Sequence, residues 1–164
     1  MQSYSDFMSA YTSEMTQNTE RVSTDVPTDM EEWKHIVRTT PVIVLYLWSN
    51  SCRPCHLVRD KFERLAQEIQ DDNIRFYKDN IDMPTSFHRN QVEVVPTFYI
   101  LCDGHELKNP EHPSIFHGWD QSMRASIQFH LSQSKNLLQR QQQNENPRFV
   151  CKNNVCYIQE DEEF

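Results

Sequence analysis

The stretch LWSNSCRPCH, Leu47 to His56, sets two cysteines with two residues between them, the second of these a proline. Such a pair serves either of two chemistries: it can supply half of a metal site, or it can exchange electrons with another disulfide. The flanks decide between them. Upstream, VIVLYL (Val42 to Leu47) is a nearly unbroken apolar run of β-branched and aromatic residues, the pattern of a strand covered on both faces. Downstream, Val58, Phe62, Leu65 and Ile69 step by four, three and four, which predicts an amphipathic helix beginning at the cysteines. The pair therefore falls where a buried strand ends and a helix begins. There the free N–H groups and the positive dipole end of the helix favour a thiolate, and Arg53 adds a full charge. Cys52 is expected to have a lowered pKa and to act as a nucleophile. Cys55, one turn along, lies close enough to attack a mixed disulfide formed at Cys52, and Pro54 keeps the intervening turn rigid.

The rest of the chain reads as alternating elements. Asp29 to Thr40 is a helix with Asp29 as N-cap, Glu31 and Glu32 in its first turn, and Trp33, Ile36 and Val37 on one face, ended by Pro41. Ile74 to Asp82 reads as a strand, Pro84 to Gln91 as a short helix, and Val94 to Leu101 as a strand followed by an Asp103-Gly104 turn. Leu107 to Ser114 reads as an enlarged turn, Ser114 to His117 as a short strand, and Gln121 to Leu138 as a helix with Met123, Ile127, Leu131 and Leu138 inward. The class is α/β: a central mixed β-sheet flanked by helices on both faces, with a parallel pair first and an antiparallel hairpin last. Pro96 sits inside a predicted strand without a ladder donor, and a cis X–Pro bond beside the thiols would explain it. Residues 1–24, rich in Ser, Thr, Gln and Met, read as a disordered extension. Residues 25–138 form the domain. Residues 139–164 hold a polar linker (Arg140 to Pro147), a cysteine-bearing hairpin and an acidic tail.

Bulk properties narrow the function. The formal net charge of -8 over 164 residues argues against nucleic acid, which needs clustered Lys and Arg. No apolar run approaches ~18 residues, so no membrane partner is expected. The N-terminus has neither a basic start nor an apolar stretch, which points to a cytoplasmic or nuclear setting where thiols stay reduced. Five cysteines in such a setting are reactive, metal-binding or apolar filler rather than a permanent framework. A zinc site at Cys52 and Cys55 would need two further ligands, which Cys151 and Cys156 could supply in principle. The strand–helix setting argues against it, and the seven histidines show no metal spacing.

From roughly Val26 to Lys135 the chain resembles the thioredoxin family. Trp48, Cys52, Pro54 and Cys55 match that family's active-site signature, and Val95-Pro96-Thr97 matches its cis-proline loop. Asn80-Ile81-Asp82, Gly104 and Gly118 also fall at matching positions. The resemblance implies the thioredoxin fold, with Cys52 as attacking thiolate and Cys55 as buried resolving thiol. It implies a cis Val95–Pro96 bond, with the Val95 backbone pairing an extended substrate segment. It also implies a redox-active Cys52–Cys55 disulfide in place of any cofactor, protein disulfide or dithiol substrates, and a thioredoxin- or glutathione-type reductant.

Three departures stand out. Ser51 replaces the family's usual aromatic before the nucleophile. Arg53 replaces glycine, which stabilises the reduced form and makes the pair more oxidising. Tyr46 occupies the place of a buried Asp that assists proton transfer at the resolving cysteine, leaving Lys78 without its acid partner and His56 or a water as the stand-in base.

Several residues outside that signature carry expectations of their own. Cys102 reads as a half-buried small hydrophobe, and His105, His112 and His117 as solvated. Trp48 reads as a wall beside the thiols. In RFVCKNNVCYIQ, Asn153-Asn154 suit a two-residue hairpin turn that sets Cys151 opposite Cys156, as a second redox pair, a sensor, or an incidental pair of apolar cysteines in a loose tail. The terminal QEDEEF resembles the tails that CAP-Gly domains bind, but a plain solvated acidic end is the favoured reading. Two functions follow: a thiol–disulfide oxidoreductase, or a thioredoxin-fold interaction or redox-sensing module with little turnover.

Overall fold

The structure is a computed structural model that describes residues 23–142 and 149–158; the expected disordered extension lies almost wholly outside them. Five strands form the main sheet in the order β1-β3-β2-β4-β5, with β1 at Thr24–Asp25, β2 at Val42–Trp48, β3 at Ile74–Asn80, β4 at Thr97–Cys102 and β5 at Ile115–Phe116. The central strand β2 runs parallel to β3 from Val42↔Ile74 to Trp48↔Asn80. It runs antiparallel to β4 from Val42↔Cys102 to Leu47↔Thr97. A mixed sheet results, with β5 antiparallel on the β4 edge and β1 parallel on the β3 edge. Two polar residues carry no strand pattern, so β1 owes its place to pairing with Tyr77 and Lys78.

Among the described residues three helices cover the faces. α1 (Met30–Thr39) packs Trp33 over Ile43, Leu45, Leu47 and Tyr77, and Asp29 caps its start by accepting from the N–H groups of Glu31 and Glu32. On the other face α2 (Arg53–Glu68) and α3 (Met123–Gln142) bring Phe62, Leu65, Ile127 and Leu131 against Val42, Val44, Tyr46, Phe76 and Phe98. Every residue of the VIVLYL run is therefore at most 2% exposed. That two-sided burial is why the run has no polar alternation.

Four expectations need correction. Residues 84–91 form no helix. Isolated turns close there through Met83 N–H to Asn80 O, Ser86 N–H to Met83 O and Gln91 N–H to His88 O. The Ser86 hydroxyl and the His88 ring both engage the Asp79 carboxylate, at 2.7 and 2.8 Å, offering local polar partners that compete with helix. β4 begins at Thr97 rather than Val94, so Pro96 stands just outside the ladder, where its missing N–H costs no strand bond. α3 continues through Gln142 into the supposed linker, because Leu, Gln and Arg are good helix formers whatever their polarity. Its inward face passes through Leu137 and Arg140 rather than Leu138.

The loop after β4 is anchored by Leu107, which packs with Cys102, Leu137 and Ile158. Cys102 itself is fully buried, not half-buried. In the tail, β6 (Phe149–Lys152) and β7 (Val155–Ile158) pair antiparallel with Cys151 opposite Cys156. Asn153 and Asn154 take φ of 51° and 64°, the left-handed turn their side chains tolerate.

Candidate active site

Chain geometry gathers the site at one end of the sheet. β2 leaves the sheet at Trp48 and the chain turns through Ser49 to Ser51 before α2 begins at Arg53, with Cys52 as the N-cap residue. Because Leu47 pairs with Thr97 and Trp48 with Asn80, the segments Val94–Pro96 and Asn80–Asp82 emerge at the same end. Hydrogen bonds tie the cysteine loop to the second of these. The Asn50 N–H donates to Asp82 Oδ2 at 2.7 Å, Asn80 Nδ2 donates to Asn50 Oδ1 at 3.0 Å, and the Ile81 N–H donates to the Trp48 carbonyl at 2.9 Å. Asn80-Ile81-Asp82 is thus a clamp on the loop.

Cys52 and Cys55 form a disulfide with Cα atoms 5.2 Å apart. Cys52 is half-buried, whereas Cys55 is 1% exposed. Cys52 Sγ accepts from the Cys55 N–H at 3.1 Å, so the sulfur takes the N-cap role that a serine or aspartate oxygen usually fills. Pro54 sits in the first turn of the helix, where its lost N–H has no partner to give up. Arg53 beside it is exposed. Trp48 is half-buried against the core beneath the disulfide.

Behind the disulfide the sequence reading is corrected twice. Tyr46 points its hydroxyl into the first turn of α2 and donates to the Cys55 carbonyl. Phe98 stacks on its ring at 5.1 Å and Phe62 tilts against it at 5.1 Å. Burial pushes the phenol's pKa up to about 12, with Arg59 pulling weakly the other way. It is a neutral donor that fixes the backbone of Cys55, and it takes no proton. Lys78 is not without an acid: its Nζ lies 3.5 Å from Glu63 Oε1 on α2, and the Ser23 hydroxyl donates to the same oxygen. No local pattern pairs residues fifteen apart on different elements, so sequence reasoning missed Glu63. His56 is exposed on the rim, its Nε2 2.9 Å from the Asn50 carbonyl and its ring edge-on to Trp48 at 6.1 Å. That bond commits the nitrogen to the loop rather than to Cys55.

Across the site the Val95–Pro96 bond is cis. Thr97, fully buried, donates its hydroxyl to the Val94 carbonyl at 2.7 Å and stands 3.4 Å from His117 Nδ1. A rim that the sequence reading did not single out surrounds these groups. Leu57 in the first turns of α2, Met83 just after Asp82 and Val94 before the cis bond are all exposed large hydrophobics.

The remaining candidates lie at the other end of the sheet, where Cys102 pairs with Val42. Burial pushes the Cys102 thiol up to about 12, and it points at the His130 carbonyl, so it stays a protonated core residue. His112 stacks on Phe129 at 4.6 Å rather than lying in solvent. Cys151 and Cys156 form a disulfide on the docked hairpin. Among the described residues no group of three or more His, Cys, Asp or Glu is placed to hold a metal ion.

Comparison with known proteins places this geometry. Residues 24–115, more than half of the chain, match the family model for thioredoxin. The thioredoxin of Malassezia sympodialis is 23% identical over 78 residues, covering 47% of this chain and 74% of that one. A crystal structure of Malassezia sympodialis thioredoxin superposes with a TM-score of 0.55 at 24% identity, covering 67% of this chain and 92% of the other. A thioredoxin f2 solved in complex with ferredoxin:thioredoxin reductase gives a TM-score of 0.53 at 22% identity, over 66% of this chain and 94% of the other. At these identities the structural likeness establishes the thioredoxin fold.

Proposed function

The chain belongs to the thioredoxin family, and from that premise we propose that it is a thiol–disulfide oxidoreductase that exchanges the Cys52/Cys55 dithiol with disulfides of protein substrates. The observation that carries this reading is the asymmetry of the pair. Cys52 is reachable and sits at a helix N-terminus, and Cys55 lies one turn behind it, buried. In the reduced protein the Cys52 thiolate, stabilised by the Cys55 N–H, the helix dipole and Arg53, attacks one sulfur of a substrate disulfide. The other substrate sulfur leaves as a thiolate and takes up a proton. Cys55, having given its proton to solvent, then attacks Cys52 Sγ. The second substrate thiolate is released, and the protein keeps the disulfide described above. Two electrons pass to the substrate, and a thioredoxin- or glutathione-type dithiol or thiol reductant restores the starting state. No dissociable cofactor enters the cycle.

Extended protein segments suit the site as substrates. β4 begins at Thr97, which leaves the Val95 backbone outside the ladder, and the exposed Leu57, Met83 and Val94 give an apolar rim for a macromolecular partner. The reading carries with it a reducing compartment, cytoplasmic or nuclear. A second reading, a thioredoxin-fold interaction module with little turnover, is favoured by one observation: where the family carries a buried acid, the phenol of Tyr46 stands behind Cys55 as a neutral donor and not as a base.

The deciding experiment is a titration in glutathione buffers with mass-spectrometric assignment of each disulfide, paired with turnover of a model protein disulfide. Reversible formation of Cys52–Cys55 at a potential between about -300 and -120 mV supports the enzyme, as does turnover abolished by Cys52→Ser. Failure of the pair to form in that window, or turnover indifferent to Cys52→Ser, leaves the interaction module.

A further inference from the structure

The C-terminal hairpin takes no part in that exchange, yet it carries an exposed disulfide and a buried anchor at Ile158. Its strands are four residues each, and a lone two-stranded ribbon of that size is marginal in water. The described contacts hold it at three points. The Cys151–Cys156 bond staples the strands one pair beyond the turn. The Cys156 N–H donates to the Lys108 carbonyl. Ile158, 2% exposed, fills an apolar pocket made with Cys102, Leu107 and Leu137. One residue, Cys156, thus carries both the staple and the tie to the loop after β4.

Reactivity follows from placement. Cys151 is exposed, so a thiolate can approach its Sγ without prior opening of the hairpin. Lys152 beside it is exposed as well, a cation next to the sulfur under attack. The sheet register rules out Cys52 of the same molecule as the attacker. The pocket lies at Cys102, paired with Val42, while Cys52 follows the opposite end of β2. Six strand steps of ~3.3 Å put the two ends about 20 Å apart.

We propose that the Cys151–Cys156 disulfide is a reducible clasp, a second redox centre independent of Cys52–Cys55, whose opening releases the hairpin and uncovers the Leu107–Leu137 pocket with the thiol of Cys102. The reductant is a dithiol acting from solvent. Its thiolate attacks Cys151 Sγ, and Cys156 leaves as a thiolate that takes up a proton. The second reductant thiol then attacks the mixed disulfide and frees Cys151. The reductant ends as a disulfide and the hairpin as two thiols, with two electrons transferred. Without the staple, Ile158 and the Lys108 contact are what the described contacts leave to order the ribbon, and it undocks.

The test uses the full chain carrying Cys52→Ser and Cys55→Ser, so that the hairpin holds the only disulfide among the described residues. Dithiothreitol is the reductant. Iodoacetamide labelling of Cys102 and amide exchange over residues 104–110 are read by mass spectrometry before and after reduction. Labelling should rise at least about tenfold on reduction, with faster exchange in that loop. Ile158→Ala should raise both without reductant. The same measurement on the wild-type chain, with every disulfide mapped, covers the event that the double substitution disturbs folding. Unchanged labelling and exchange after complete reduction of Cys151–Cys156 overturns the proposal. So does a hairpin disulfide that persists under conditions that fully reduce Cys52–Cys55.

Discussion

The two disulfides join cysteines separated by three and by five residues, yet they stand in opposite relation to the fold. Cys52–Cys55 rests on a seven-residue central strand, a sixteen-residue helix and a loop clamped by Asn50, Asn80 and Asp82. Remove that bond and every one of those supports remains. Cys151–Cys156 rests on a ribbon of two four-residue strands whose described anchor in the core is Ile158. Remove that bond and little is left to order the ribbon. The scaffold thus sets the chemistry of the first bond, whereas the second bond sets the local structure around itself. Only a bond of the first kind can be made and broken in a catalytic cycle without cost to the fold.

The largest effect that could break this contrast is on activity. Cys52→Ser should reduce disulfide turnover to background while leaving the thermal midpoint nearly unchanged. Cys55→Ser should let the first attack proceed and accumulate a mixed disulfide visible by mass spectrometry. Cys151→Ser should leave turnover intact. Were Cys151→Ser to depress turnover as deeply as Cys52→Ser, the two ends of the sheet would be one redox system and the distinction would collapse.

Stability gives the next two tests. Phe62 is fully buried among Tyr46, Phe76 and Phe98, at the centre of the face that carries α2. Phe62→Ala should cost about 3–5 kcal/mol and shift the whole denaturant transition. Ile158→Ala deletes a comparably buried side chain at the periphery, and its cost should not exceed about 2 kcal/mol because the hairpin can detach instead of leaving a cavity. Its signature is fast amide exchange confined to the hairpin and residues 104–110, with the midpoint of the main transition held. A Phe62-sized shift from Ile158→Ala would make the tail part of the core.

What was legible in the sequence follows the same division. β2, α1 and α2 announce themselves because burial on two faces or one stripe leaves a period that local residues cannot hide. The hairpin turn is legible because two adjacent asparagines accept positive φ. The failures are cases where partners distant in sequence decide. Residues 84–91 have a helix-like composition, but Asp79 captures Ser86 and His88. Gln139 to Gln142 look like linker by polarity, yet α3 carries on through them. At the site, Cys52, Cys55 and Pro96 are readable from their motifs. Glu63 behind Lys78 and the buried Cys102–Leu107–Leu137–Ile158 pocket are not, since each joins elements that only the tertiary fold brings together.

Tyr46 offers the smallest effect and the finest probe of how firmly the scaffold holds the first disulfide. The Cys55 carbonyl that it engages lies in the first turn of α2, where it also accepts from the helix N–H four residues on. Tyr46→Phe therefore leaves that acceptor satisfied and should cost only about 1 kcal/mol near neutral pH. Its consequence for pH dependence is more telling. Burial raises the phenol to about 12 in the folded protein, above the ordinary value of 10.0 that it regains on unfolding. Its contribution is fully present below pH 10 and is lost as pH climbs toward 12, because the unfolded chain releases the proton first. Cys102, raised from 9.0 to about 12 by burial, acts in the same direction and starts lower. Burial raises Tyr77 and Tyr99 as well, so wild-type stability should fall steadily across that alkaline range, whereas Tyr46→Phe should lose the Tyr46 part of the slope and keep the rest. Unfolding followed by circular dichroism from pH 8 to 12 separates the two. Equal slopes would mean that the phenol ionises without hindrance, and then Tyr46 could not be the neutral brace behind Cys55.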